Sequence, residues 1–412
     1  MDRKGGGGMN VRIRPATLRG TVEAISSKSC LHRQMICAML SGRETEIACR
    51  GISRDVEATA RCARAMGCAV AVTEERVTLS PGEKRENPTL ECGESGSTAR
   101  FLLAVAAAVT DGFTMTGEGR LPRRPMAELT EALRAHGCAV SGDYLPLTVT
   151  KRLQSGVYEL RGDVSSQYVT GLLLALPNLD GDSEIRLTTP LQSRGYVDIT
   201  LEVLDSFGVK VERRESGFFI PGGQTFTPPS ELRAEGDWSN AAFWLCADAM
   251  GDNDVTVTGL NGWSVQGDRA VVEVIRRMGQ TGDLTIRVGE IPDLAPVLSI
   301  LACGRRGKTT FTEAGRLRLK ESDRLSACCH MIRALGGVAE EGTDSLTVLG
   351  SGRLRGGTVD GCNDHRIVMA AAIASLLCRE DVVITGAQAV EKSYPQFFAD
   401  FRALGGDVHD IL

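Results

Sequence analysis

The stretch RRPMAELTEALRAHG, residues 123–137, ends an amphipathic helix on a glycine and runs straight into the apolar CAV of 138–140. Glycine just past the last helical residue is the usual left-handed stop, so the phrase reads helix, stop, strand. It occurs six times: ARAMG ending at Gly67, LRAHG at Gly137, LDSFG at Gly208, IRRMG at Gly279, IRALG at Gly336 and FRALG at Gly405, at intervals of 70, 71, 71, 57 and 69 residues. A second series is expected where a capping residue precedes an apolar helix, at Ser29, Ser97, Ser166, Ser239, Asp293 and Asp364, at intervals of 68, 69, 73, 54 and 71. Both series shorten between the fourth and fifth members, although they rest on different residues. With β-like runs between the helices (VTLS, LTVT, FFIP, LTVL), the chain reads as six α/β units of about 69 residues.

At 412 residues the chain exceeds what one hydrophobic core usually serves, so three units per domain are expected. The boundary is expected in the Gly/Pro-rich GGQTFTPPSELRAEG, residues 222–236. A composition of 42% hydrophobic and 24% charged residues is that of a globular protein, and a net charge of −5 lacks the basic excess of a dedicated nucleic-acid binder. The longest uncharged apolar stretch, Ile367 to Cys378, is far short of the roughly 18–20 residues of a membrane span. The opening MDRKGGGGMN has no apolar signal region; it reads as a flexible leader, with Met9 as an alternative start, and a cytoplasmic location is expected. Thirteen cysteines with no Cys-x-x-Cys pair read as small buried hydrophobes, so neither a disulfide framework nor a structural metal is expected.

The helix starts carry the chemistry. SSKSCLHR places Lys28, Ser29 and Arg33 where free backbone N–H groups and the helix dipole favour an anion. GESGSTARFLLAV is a Gly-rich approach whose Gly96 lets backbone come near a ligand oxygen, with Arg100 one turn on; alone, a plain tight turn explains it as well. SSQYVTGLLLAL offers the neutral donors Ser165, Ser166 and Gln167, and IPDLAPVLSILAC opens on the carboxylate of Asp293, read as a cap. NDHRIVMAAAIASLL puts Asp364, His365 and Arg366 ahead of an apolar run. In RLRLKESDRLSACCHMIRAL a cap at Ser322 gathers Lys320, Glu321 and Arg324 at a helix start. GRLPRRPMAEL adds Arg124 before Pro125 as the first helical residue, and EKSYPQFF adds Lys392.

Each cluster alone also fits a solvated face; together they place cations at several helix starts of an acidic protein. Arginines fork onto carboxylate and phosphate, which suits Arg124, Arg324 and Arg366 to a small ligand carrying both. Packed cations lower a lysine's pKa and make Lys28 or Lys392 a candidate proton donor, while Asp293 and Glu321 supply acid/base partners. No Gly-x-Ser-x-Gly elbow and no Walker loop occurs, so the chemistry read here is proton transfer and charge stabilisation.

SSKSCLHR, GESGSTARFLL, RRPMAELTEALRAHG, SSQYVTGLLLAL, SRGYVDITL, IPDLAPVLSI, LKESDRL, NDHRIVMA and EKSYPQFF, in this order over roughly residues 10–410, resemble the motif set of the EPSP synthase family of enolpyruvyl transferases. The resemblance implies an α/β (α+β) fold: a two-domain inside-out α/β barrel, three βαβαββ repeats per domain, with the active site in the interdomain cleft. One domain would comprise residues 1–25 plus 237–412, the phosphoenolpyruvate side, and the other residues 26–236, the shikimate 3-phosphate side. It implies transfer of the enolpyruvyl group from phosphoenolpyruvate to the 5-hydroxyl of shikimate 3-phosphate by addition–elimination, by a monomer with no metal or organic cofactor and no nucleic-acid or membrane partner.

Phosphoenolpyruvate contacts would then fall on Lys28, Gly96, Arg124, Gln167, Arg324, Arg366 and Lys392. Shikimate 3-phosphate would be held by Ser29, Arg33, Ser165, Ser166, Gln167, Ser193, Tyr196, Asp293 and Lys320, with Asp293, Glu321 and Lys28 catalytic. One departure stands out: Arg316 replaces the asparagine that many relatives carry four residues before the motif lysine. Two alternatives are weaker. The sister transferase acting on UDP-N-acetylglucosamine carries a loop cysteine where this chain has Gly119, and an RNA-end-processing or binding protein would need a basic surface rich in aromatics, which are 5% here.

Overall fold

The computed structural model describes residues 8–83 and 85–411; the leader read at the amino terminus lies, up to residue 7, outside the described residues. The chain divides into two compact units. One contains the segment ending at Ile25, Gly236–Ser264 and the chain from Asp268 onward; the other contains Ser26–Glu235 with Val265–Gly267. Each encloses its own hydrophobic core.

The repeat read from the sequence is a βαβαββ module. In Thr89–Glu91, Gly96–Val109, Gly112–Thr116, Ala127–Ala135, Ala139–Val140 and Leu147–Thr150, the first two strands pair in parallel and the closing hairpin adds antiparallel. The modules beginning at Val157, Leu284 and Gly357 repeat that strand order. In the last of these the fourth strand comes from the other end of the chain, because Asn10–Arg14 lies between Val382–Thr385 and Asp407–Ile411. In the first module of the second unit, Thr45–Ala48 is met in parallel only by a bridge from Arg233 to Ala48.

The remaining module explains the shortened interval. Arg19–Glu23 pairs with Asp254–Thr258 in a two-stranded sheet, and after the helix Val271–Met278 the chain passes directly to Leu284–Arg287, the opening strand of the next module. The closing hairpin is missing. Accordingly Gly279, with φ −68, stays right-handed, whereas Gly67, Gly137, Gly208, Gly336 and Gly405 are left-handed as the phrase requires.

The two helices of a module differ in role. Gly96–Val109, Ser166–Ala175, Ala295–Gly304 and His365–Ala374 are apolar and buried almost all round, so they form the centres of the units. Gly171 permits one close crossing: a Cβ there would lie 2.6 Å from the Arg100 carbonyl. The second helices, such as Arg54–Ala65 and Val271–Met278, bury one stripe and expose the other. No helix among the described residues is long and apolar enough to cross a membrane. All thirteen cysteines are free thiols, eleven of them buried, and burial pushes Cys30 and Cys303 up to about 12.

Candidate active site

Several expected caps shift. Ser27, not Ser29, caps Lys28–Ser41; Ser95, not Ser97, caps Gly96–Val109; and Ser165, not Ser166, caps Ser166–Ala175. Asp237 takes the cap expected of Ser239, and Asp323 that expected of Ser322. Asp293 caps nothing, since Ala295–Gly304 begins after Leu294 with no side-chain cap. Pro125 precedes the cap position Met126 and is not the first helical residue. Asp364 is the cap expected, accepting the Arg366 N–H at 3.0 Å. Displacement by one or two residues leaves Lys28, Ser29, Ser97 and Ser166 inside the first helical turn, close to the unsatisfied N–H groups.

In the second unit, Lys28 is the first helical residue, where a cation opposes the dipole by about 0.3–1 kcal/mol. Asp55 answers it: Lys28 Nζ donates to Asp55 Oδ2 at 2.8 Å, with the two side chains only 15% and 12% exposed. A Cβ built on Gly96 would lie 2.7 Å from Arg124 Nη1 and 2.8 Å from Arg100 Nη1, so two guanidinium groups converge on a position with no side chain. Arg100 Nη1 donates to Gln167 Oε1 at 2.7 Å and Gln167 Nε2 to Ser97 Oγ at 3.1 Å, which draws Gly96, Arg124, Ser97 and Gln167 into one patch.

Arg33 is buried and spends its donors internally. Nε donates to Thr200 Oγ1 at 2.8 Å, Nη1 to the Ser29 carbonyl at 2.5 Å, and Nη2 to the Tyr196 carbonyl at 2.9 Å and to Thr170 Oγ1 at 3.3 Å. It thereby ties Ser29 to Tyr196. Ser193, at the start of Arg194–Ser206, is held at φ 56 and ψ 47, a left-handed conformation that a non-glycine residue adopts at a cost of about 1–3 kcal/mol and that clusters at ligand sites.

In the first unit three segments meet on one carboxylate. Asp293 Oδ1 accepts from Arg324 Nη1 at 2.8 Å and from Lys320 Nζ at 3.3 Å, and Oδ2 accepts from Arg366 Nη2 at 3.0 Å. Arg324, 1% exposed, also donates to Glu321 at 2.6 Å and through Nε to the fully buried Asp364 at 3.0 Å, while Ser322 Oγ donates to Asp364 at 2.9 Å. Burial alone would lower the Arg324 pKa, but Asp364, Glu321 and Asp293 hold it well above the ordinary value. Burial lowers that of Lys320, with Asp293 opposing and Arg324 and Arg316 assisting. Arg316 is thus an electrostatic neighbour of Lys320. Lys392 Nζ donates at 2.7 Å to the carbonyl of Asn363, which lies in a turn where Cys362 and Asn363 are both left-handed, at φ 52 and 51.

The residues named from the sequence therefore form two groups: Lys28, Ser29, Arg33, Gly96, Arg124, Ser165, Ser166, Gln167, Ser193 and Tyr196 in one unit, and Asp293, Lys320, Glu321, Arg324, Arg366 and Lys392 in the other. The sequence reading missed Asp55, a carboxylate in a first helical turn that passes for dipole complementation. It also missed Asp268. This carboxyl is 5% exposed, and burial, then the charge of Asp293, pushes it up to about 7 against the opposing pull of Arg366.

The fold matches an EPSP synthase structure from Acinetobacter baumannii, with a TM-score of 0.81 at 23% identity over 98% of this chain and 100% of that one. An enolpyruvyl transferase structure from Streptomyces tendae matches with a TM-score of 0.80 at 18% identity over 98% and 99%. The architecture is thus that of the enolpyruvyl transferases. A 3-phosphoshikimate 1-carboxyvinyltransferase of Clostridium kluyveri is 41% identical over 97% of this chain and 98% of its own length, and one of Clostridium acetobutylicum is 38% identical over the same shares. The family model for EPSP synthase (3-phosphoshikimate 1-carboxyvinyltransferase) matches residues 13–401, and the chain belongs to that family.

Proposed function

We propose that this protein transfers the enolpyruvyl group of phosphoenolpyruvate to the 5-hydroxyl of shikimate 3-phosphate, releasing inorganic phosphate, as a cytoplasmic monomer in aromatic amino acid biosynthesis. The observation that carries the reading is Asp293, a single carboxylate holding Lys320, Arg324 and Arg366. These three cations are also the groups that suit an anionic ligand, and the carboxylate and phosphate of phosphoenolpyruvate compete with Asp293 for the arginines.

Asp293 then accepts the 5-hydroxyl proton as that oxygen bonds to C2 of phosphoenolpyruvate, while Glu321 and Lys28 deliver a proton to the methylene carbon. The product of this addition is a tetrahedral adduct. Fixed cations stabilise its charge, which no rearranging solvent does as cheaply. Elimination returns a proton from the new methyl group to Glu321 and Lys28 as the C–O bond to phosphate breaks, restoring the enol double bond. In this reading Arg124, Gln167, Gly96 and Lys392 also serve phosphoenolpyruvate, and Ser29, Arg33, Ser165, Ser166, Ser193, Tyr196 and Lys320 serve shikimate 3-phosphate. Arg33, given its internal bonds, acts mainly by holding Ser29 and Tyr196 in place.

The test is phosphate release from phosphoenolpyruvate with shikimate 3-phosphate, beside a parallel reaction with UDP-N-acetylglucosamine, both in EDTA. Release with shikimate 3-phosphate alone is expected. Release with the nucleotide sugar alone, or with neither, would overturn the assignment.

A further inference from the structure

His32 is fully buried, one helical turn beyond Lys28. Its Nδ1 lies 2.7 Å from Thr59 Oγ1, and Thr59 stands one turn beyond Asp55 on the facing helix. Lys28–Asp55 and His32–Thr59 are thus two successive rungs between Lys28–Ser41 and Arg54–Ala65. A third helix joins through Thr98: Thr59 Oγ1 is 2.7 Å from Thr98 Oγ1, which donates to Ser95 Oγ at 2.7 Å and lies 3.3 Å from the Asp55 carbonyl. Ser95 in turn caps the helix that opens at Gly96, accepting the Thr98 N–H at 3.2 Å.

Thr98 Oγ1 donates toward Ser95 Oγ or the Asp55 carbonyl, and in that order Thr59 donates to Thr98 and accepts from His32, which then carries its proton on Nδ1. The reverse order would place the proton on Nε2 as a buried donor with no acceptor. His32 Nε2 has no hydrogen-bond partner. The ring stands edge-on to Phe101, with centroids 6.4 Å apart. A second proton on Nε2 would have no acceptor and would add a third positive charge beside Lys28 and Arg33. Burial first, then those two cations, holds the imidazole pKa well below its ordinary value.

We propose that His32 is a positioning residue for the enolpyruvyl transfer: a neutral Nδ1–H imidazole that orders the Thr59–Thr98–Ser95 hydroxyl chain and so fixes Lys28 and Gly96 relative to each other. This rests on reading Lys28 and Gly96 as phosphoenolpyruvate residues. Neither His32 nor the hydroxyls touch substrate in this assignment; they act through Asp55 and the Ser95 cap.

Two measurements test it. In 15N-histidine-labelled protein, the His32 signals, identified among five histidines by their loss in His32→Asn, should show the Nδ1–H tautomer without titration between about pH 5 and 9. An Nε2–H tautomer or a titration in that range would overturn the proposal. In kinetics, His32→Leu and Thr59→Val should each lower kcat/KM for phosphoenolpyruvate about tenfold, the double variant should be no worse than either, and His32→Asn, whose amide can still donate to Thr59, should stay within about threefold of wild type.

Lys28→Met separates the two readings. If it retains wild-type kinetics, the assignment of Lys28 fails, while the tautomer still reports on His32. If it is inactive but His32→Leu behaves as wild type, the positioning role is wrong. Should His32→Leu fail to fold, Thr59→Val decides by the same criterion.

Discussion

The two units build helix-start sites on the same module with opposite materials. In the unit that holds Asp293, the cations are set by carboxylates: Arg324 alone is bonded to Asp293, Glu321 and Asp364. In the unit that holds Gly96, neutral groups enter as well: Ser95, Ser97, Thr59, Thr98 and Gln167 are hydrogen-bonded there, beside the Lys28–Asp55 ion pair. A charged setting is strong but sensitive to the loss of any member, because it leaves a buried charge behind. A hydroxyl setting loses less per member and does not titrate. In the proposed reading, one unit holds the carboxylate that takes the proton, and the other presents a fixed anion cradle.

The largest expected effect is Asp364→Ala. It leaves Arg324, 1% exposed, without its buried partner and should destabilise the fold by about 3 kcal/mol or more, read by urea unfolding. Thr98→Val, the counterpart in the neutral setting, should cost about 1–2 kcal/mol; equal costs would erase the contrast between the units. Next is Gly96→Ala, whose methyl group would meet Arg124 and Arg100 at 2.7 and 2.8 Å. Both are the far ends of flexible side chains, so folding should survive while KM for phosphoenolpyruvate rises about tenfold. An unchanged KM would place the anion elsewhere.

A pH tilt is expected at Asp268. Its pKa in the fold, about 7, exceeds that of the unfolded chain, so between the two values the folded state binds more protons and stability falls as pH rises. Asp268→Asn removes this term. Relative to wild type its Tm should gain more at pH 8 than at pH 5, and a pH-independent difference would mean that the carboxyl is not protonated in the fold.

Much of the fold was legible because glycine stops recur at one spacing, and even the anomaly, 57 residues between Gly279 and Gly336, recorded the missing hairpin. Cap positions were less legible where polar residues double up. SSKS and SGS offer serines two apart, and backbone φ and ψ, which the sequence does not print, decide between them. The site residues were visible as types at helix starts, but their convergence was not, since Asp293 meets partners 27, 31 and 73 residues away. Asp55, Asp268, His32 and Thr59 escaped notice because single polar residues in buried elements carry no periodic signal; only their partners give them meaning.

The central claim is that Asp293 is the base of the transfer, and the direct measurement is steady-state kinetics of Asp293→Asn with phosphoenolpyruvate and shikimate 3-phosphate. The amide keeps the shape and part of the hydrogen bonding but cannot take the proton, so kcat should fall about a thousandfold while both KM values stay within a few-fold of wild type. Near-normal kcat in a folded Asp293→Asn variant would contradict the account, and the proton would have to leave by another group.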